Sequence, residues 1–275
     1  LNSTSICYVL VQTPNSKYFE GSAPIDFSEP LEDFDYTAID SVLRNLSRID
    51  YCGTVVVCST VSPGTMRRFA ASYPTLRIAY MPVMVHIGKE AETFLDAPVY
   101  FIGHQSNVDP ANIMGPLIEA GIPADRFMLG TYEEVELYKM MGNVYCSLKI
   151  AFSNTISEII EAGKLPASSF KVMDALKRDT VRFSSEMYLS PGSGDGGPCH
   201  PRDGVVMAYL SKQVATNSQL LIDIAEARER QAEFLAKYLV DFNLPIIILG
   251  KSFKPNVDMT TGSYSVLIGE YCKRL

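Results

Sequence analysis

Short, continuously apolar runs alternating with segments of helical period constrain this chain more than any other feature. Ile6 to Gln12, Gly53 to Cys58, Ile78 to Pro82 and Val99 to Gly103 each have the length and apolar continuity of strands buried in a parallel sheet. Between the first two, Ala38 to Ile49 sets Ile39, Val42, Leu43 and Leu46 at helical spacing, and Met66 to Ser72 starts a second helix. The alternation predicts an α/β fold with an open, mostly parallel sheet, whose ligands lie at the carboxyl ends of its strands. Two such ends stand out, Val11-Gln-Thr-Pro14 and Ser59-Thr-Val-Ser-Pro-Gly-Thr65. By residue type alone each is a strand-to-helix turn with a threonine fit to serve as an N-cap.

The stretch richest in chemistry is Ser190-Pro-Gly-Ser-Gly-Asp-Gly-Gly-Pro-Cys-His-Pro-Arg-Asp203. Its glycines let the backbone turn tightly and approach a ligand closely. An apolar run at helical spacing follows (Val205, Val206, Ala208, Tyr209, Leu210), and Pro201 suits its first turn. Cys199 is thereby expected just before a helix N-terminus, where unpaired N–H groups favour a thiolate. Asp203 falls in the first turn, able to orient a water near the sulfur. The plain alternative is an inert thiol and a helix-capping acid.

Glu133 to Glu161 reads as one long amphipathic helix, with Lys139 and Asn143 at i, i+4 on a common face. A shorter helix is expected over Phe170 to Arg178. Another spans Asn217 to about Asp241, where Glu226, Arg228, Glu229 and Arg230 make a solvated face. Ile246 to Leu249 reads as a further buried strand, followed by Gly250-Lys-Ser-Phe-Lys-Pro-Asn-Val-Asp258.

Bulk properties exclude several classes. A net charge of −7 argues against nucleic acid or an anionic membrane as partner, and no apolar run is long enough to span a bilayer. Six cysteines at irregular spacing fit reduced cytoplasmic thiols, not a disulfide framework. Neither His86 nor His104 has a cysteine near it at ligand spacing, so no metal is expected. The chain starts at Leu1 with no initiator methionine and no signal-peptide pattern, as expected of a segment from within a longer protein.

Pro-Gly-x-Gly-x-Gly-Gly-x-Cys-x-Pro-Arg-Asp resembles the active-site loop of the UDP-glucose/GDP-mannose (nucleotide-sugar 6-) dehydrogenase family. Val11-Gln-Thr-Pro14, Ser59 to Thr65, Lys139-x-x-x-Asn143 and Gly250 to Asp258 are similar, in order, to further motifs of that family. The resemblance implies a partial Rossmann-like domain over 1–130, a central all-helical catalytic and dimerisation domain over 131–240, and the start of a second Rossmann-like, nucleotide-sugar-binding domain over 241–275. It implies NAD as cofactor, a UDP-sugar or related nucleotide sugar as substrate, and a homodimer built on the long helix. The reaction implied is a two-step oxidation of the sugar C6 alcohol to a carboxylate through a thioester on Cys199.

By the same resemblance Lys139 and Asn143 stabilise the alkoxide, while Asp203 and Thr60 hold water. Thr13, Pro14, Ser59, Thr60 and Arg202 lie on the cofactor side; Tyr188, Gly192, Gly196, Gly197 and Lys254 lie on the substrate side. Four departures qualify the match. Two family glutamates are replaced by Val83 and Ile87, one of them assigned to thioester hydrolysis. A third, in Phe-x-Asn-Glu, is replaced by Thr155. The family's Arg-Glu-Ser is Thr261-Gly262-Ser263 here. The strand–Gly-x-Gly-x-x-Gly–helix unit that holds the adenosine half of NAD has no counterpart. One alternative is therefore a catalytically inactive dimeric scaffold derived from the family. Another is a cysteine hydrolase, for which only His200, the immediate neighbour of Cys199, is available as base.

Overall fold

The computed structural model describes residues 6–14, 32–85, 88–184, 194, 196–197 and 200–275, apart from the side chains of Ile150, Arg202, Asp203 and Tyr209. Its strands form one sheet in sequence order: β1 (Ile6–Val9), β2 (Thr54–Val57), β3 (Arg77–Tyr80), β4 (Tyr100–His104) and β5 (Phe127–Gly130). β1, β2 and β3 are parallel, with Ile6 opposite Thr54 and Thr54 opposite Arg77. β4 reverses against β3, with Ala79 opposite His104, and β5 then runs parallel to β4. The sheet is thus mostly parallel, as expected, with one reversed step. A parallel return needs a covering crossover element. Among the described residues the β3–β4 connection carries one regular element, α3 (Glu90–Leu95), none of whose residues is buried.

β2 is buried at every position because both faces of the sheet are covered. Alternation sends Val55 and Val57 to one face, with Val9, Ile78 and Tyr80, and Val56 and Cys58 to the other, with Ala79 and Ile102. The first face packs on Ile39, Leu43 and Leu46 of α1 (Thr37–Arg48) and on Met66 and Phe69 of α2 (Thr65–Ser72). The second packs on Ile113 of α4 (Ala111–Glu119).

The long helix α5 (Tyr132–Ala162) enters the first core through Tyr132 and Val135, and the Tyr132 hydroxyl donates to the Ile78 carbonyl at 2.6 Å. Gly103 at the end of β4 permits this approach, since a Cβ there would sit 3.2 Å from Val135 Cγ2 and 3.0 Å from the Thr131 carbonyl oxygen.

The chain divides into two compact units, Leu1–Cys146 and Ser147–Leu275, and the boundary falls inside α5. In the second unit the described regular elements are helices: the end of α5, α6 (Ser169–Arg178), α7 (His200–Gln213), α8 (Leu220–Val240) and α9 (Tyr264–Arg274). Thr155 is buried; its hydroxyl bonds to the Ala151 carbonyl at 2.9 Å and Ser218 Oγ at 2.7 Å, tying α5 to the α7–α8 turn.

Two expectations are corrected here. Ile246 to Leu249 is neither a strand nor buried: Ile247 is 82% and Leu249 86% exposed. A strand exists only through ladder partners, and the described residues of this unit supply none. Arg228, expected on a solvated face, has a side chain only 11% exposed, although Arg230 and Glu226 beside it do pair at the surface.

Candidate active site

The carboxyl ends of β1, β2 and β3 open into a cleft of about 490 Å³, walled by 10–14, by Cys58, Ser59 and Thr60, and by Val83. Thr13, Pro14, Ser59 and Thr60, chosen from sequence as cofactor-side residues, all lie on it. The local cause is a hydroxyl bracket. Ser59 Oγ accepts from the Val11 N–H at 3.0 Å and donates to the Val11 carbonyl at 2.6 Å, continuing the β1–β2 pairing past the last strand residue. Thr13 Oγ1 donates to the Thr60 carbonyl at 2.8 Å, closing the loop. The Ser59 hydroxyl is therefore engaged in shaping the cleft, whose lining also includes Leu10, Gln12, Thr60 and Val83. Cys58 is inert by comparison: burial pushes its thiol up to about 12.

Lys139 reaches the same region from α5. Its ammonium donates to the Val83 carbonyl at 3.0 Å, so Val83 is both on the cleft wall and in contact with Lys139. That contact uses one of three N–H bonds. Partial burial lowers the lysine's pKa. Asn143, one turn further along α5, is exposed.

Glu136 was not singled out from sequence, yet it is fully buried three residues before Lys139. Its two carboxylate oxygens accept from the N–H groups of Gly64 and Met66, each at 2.7 Å. These are the first amides of α2, where an anion is favoured. Burial is the largest influence on Glu136 and raises its pKa; the two amide bonds oppose it. Glu136 thereby fastens the turn after β2, whose Gly64 sits at φ +89°, to the helix that carries Lys139. The available signal was an acid on the stripe Tyr132, Val135, Glu136, Lys139, which otherwise faces the core.

In the second unit, Gly196, Gly197 and Lys254 come together around Phe253. A Cβ on Gly197, which has φ +81°, would lie 2.8 Å from the Phe253 ring, and Lys254 Nζ stands 5.4 Å from that ring's centroid. Arg202 and Asp203 lie in the first turn of α7, in line with the helix start read from sequence, and their side chains are outside the described set. Cys199, Tyr188 and Gly192 lie outside the described residues, as do Ile87 and His86. Among the described residues no group of three or more His, Cys, Asp or Glu side chains is arranged to hold a metal ion, and no helix is long and apolar enough to cross a membrane.

Residues 133–230 match the model of the UDP-glucose/GDP-mannose dehydrogenase family, central domain. GDP-mannose 6-dehydrogenase of Pseudomonas putida is 24% identical over 271 residues, covering 94% of this chain and 58% of its own length. UDP-glucose 6-dehydrogenase of Rickettsia typhi is 26% identical over 246 residues, covering 85% of this chain and 54% of its own. The fold is that of a GDP-mannose dehydrogenase from Pseudomonas aeruginosa solved as a ternary complex, with TM-score 0.82 at 23% identity over 99% of this chain and 62% of that one. The chain thus spans a little over half the length of these curated relatives.

Proposed function

Because this chain belongs to the UDP-glucose/GDP-mannose dehydrogenase family through its central domain, we propose that it serves the NAD-dependent oxidation of a nucleotide sugar at C6, from alcohol to carboxylate. The observation that carries this reading is the convergence of Thr13, Pro14, Ser59 and Thr60 on one strand-end cleft, with Lys139 bonded to its wall at Val83. The cleft fits the nicotinamide side of NAD: it is open, stands at parallel-strand ends, and is lined by two threonines, Thr13 and Thr60, beside apolar residues such as Leu10, Val11 and Val83. When bound, NAD accepts a hydride in each of the two oxidations.

The chain's own residues account for the rest. The Lys139 ammonium and the Asn143 amide offer donors to the oxygen at C6, stabilising negative charge there as the alcohol loses its proton. The Cys199 thiolate adds to the resulting aldehyde carbon, forming a C–S bond and an oxyanion on the same donors. After the second oxidation the carbon is a thioester. Water held by Asp203 and Thr60 attacks it, the C–S bond breaks, and the carboxylate leaves with Cys199 restored as thiolate. Arg202 borders the cofactor, and Tyr188, Gly192, Gly196, Gly197 and Lys254 surround the nucleotide sugar. Activity is assigned to the cytosol, as a homodimer through the exposed apolar stripe of α5 (Leu137, Met141, Val144, Leu148).

Val83 favours a second reading. An apolar residue on the cleft wall, where the family has a carboxylate, suits a scaffold that binds but does not turn over. Assay of the full-length protein containing this chain, with NAD and either UDP-glucose or GDP-mannose, separates the two. Two NADH per sugar oxidised supports the dehydrogenase; no NADH with either sugar, from a dimer that still binds nucleotide sugar, supports the scaffold.

A further inference from the structure

The glycine loop before Cys199 is seated on the segment leading into α9 by contacts that only glycine allows. The Gly197 N–H donates to the Gly262 carbonyl at 3.2 Å. A Cβ on Gly262 would stand 2.7 Å from the Gly197 carbonyl carbon and nearer still to its oxygen, and Gly262 itself sits at φ +68°. Gly196 faces the same Gly262 carbonyl, and a Cβ on Gly194 would lie 2.5 Å from the ring of Tyr264.

The seat is braced from α8. Arg228 Nη2 donates to the Gly262 carbonyl at 3.3 Å, so that oxygen accepts from the loop and from α8 together. The guanidinium stands 5.6 Å from the centroid of the Tyr264 ring, which is itself nearly buried and bonded to Gln231 at 3.0 Å. Arg228 thus reaches Gly262 and Tyr264 while its Nη1 pairs with Glu229 at 2.7 Å on α8 itself. No side chain fits at Gly262 with Gly197 in this position.

We propose that the Gly262 carbonyl, with Arg228 behind it, is the anchor that sets the nucleophile loop, which makes Gly262 and Arg228 positioning residues for Cys199. The proposal rests on Cys199 being the nucleophile. Cys199 is two residues beyond Gly197 and immediately precedes His200, the first residue of α7. Two residues of chain span at most about 7 Å, so a shift of Gly197 is passed on along the chain to Cys199.

The test is the pH profile of iodoacetamide alkylation at Cys199, followed by peptide mapping, with the exposed Cys52 and Cys146 as internal references. Wild type must first alkylate fastest at Cys199; if it does not, the nucleophile reading fails, whatever the anchor does. Given that result, Gly262→Ala is expected to slow Cys199 about tenfold at neutral pH, its profile moving up by about one unit. Cys52 and Cys146 keep their rates. Arg228→Met is expected to shift the profile in the same direction by less, and Arg228→Lys to restore part of it. A folded Gly262→Ala with the wild-type Cys199 profile overturns the proposal. If that variant does not fold, an unshifted profile in Arg228→Met overturns it instead.

Discussion

The strand-end cleft and the glycine loop are both backbone turns beside a site, and they are held in opposite ways. The cleft is held by added groups: a serine hydroxyl bracketing Val11, a threonine hydroxyl on Thr60, and a buried glutamate on the first amides of α2. The loop is held by missing ones, glycines whose bare backbones meet at Gly197 and Gly262. Removing atoms should therefore loosen the first region, and adding a single carbon should disrupt the second. Polar staples fix geometry through directional bonds, whereas glycine contacts fix it through distance of approach, which leaves the contact of Gly197 with Gly262 sensitive to the smallest substitution.

Truncations test the first half of that contrast. Lys139→Ala, in the full-length protein, is expected to lower kcat about 10²–10³-fold, as for loss of one oxyanion donor, with little change in sugar affinity; stopped-flow NADH formation measures it. Glu136→Ala leaves two amide N–H groups without their acceptor and is expected to cost about 2–4 kcal/mol in urea unfolding of the first unit. Ser59→Ala removes a smaller staple, about 1 kcal/mol by the same measurement, since both Val11 groups lie near the cleft and water can replace the hydroxyl. Ser263→Ala should be the mildest, at about 0.5–1 kcal/mol, because Ser263 Oγ caps α9 through a long 3.4 Å bond from the Val266 N–H.

The pH dependence of Glu136 sharpens the comparison further. Its folded pKa is raised above the ordinary 4.5, so the folded state holds the proton more tightly than the unfolded chain does. The associated stability is fully present below the unfolded value and is lost as pH rises through the folded one. The stability difference between wild type and Glu136→Gln is therefore expected to move against wild type between acid and neutral pH. Gly262→Ala should show no such pH-dependent difference in unfolding between acid and neutral pH, because that contact is made by backbone groups and a guanidinium, with no carboxyl or imidazole in it.

Much of the cleft was legible in the sequence because its determinants are local. Apolar runs marked β1 to β4, and Thr13, Pro14, Ser59 and Thr60 fall where the strands stop. The reversal of β4 was not legible, since hydrophobic pattern reports burial and carries no strand direction. Ile246 to Leu249 has the composition of a buried strand, but burial depends on partners that a composition cannot supply. Glu136 and Arg228 were hidden for one reason. Each is a charge on a stretch of helix read by its majority pattern, and each bonds to a backbone group distant in sequence, Gly64 and Met66 for one and Gly262 for the other. The glycine-rich composition around Cys199 announced close approach, though not that its partner is Gly262.

The central claim is that Cys199 carries the acyl group between the two oxidations and hydrolysis. Full-length protein quenched in acid during turnover with NAD and UDP-glucose or GDP-mannose tests it, by mass spectrometry of the peptide containing Cys199. The account predicts a nucleotide-sugar acyl adduct on Cys199 in wild type, lost on treatment with hydroxylamine, and no adduct and no carboxylate product from Cys199→Ser. Carboxylate formed by Cys199→Ser at the wild-type rate, or an acyl adduct on a different residue, would contradict it.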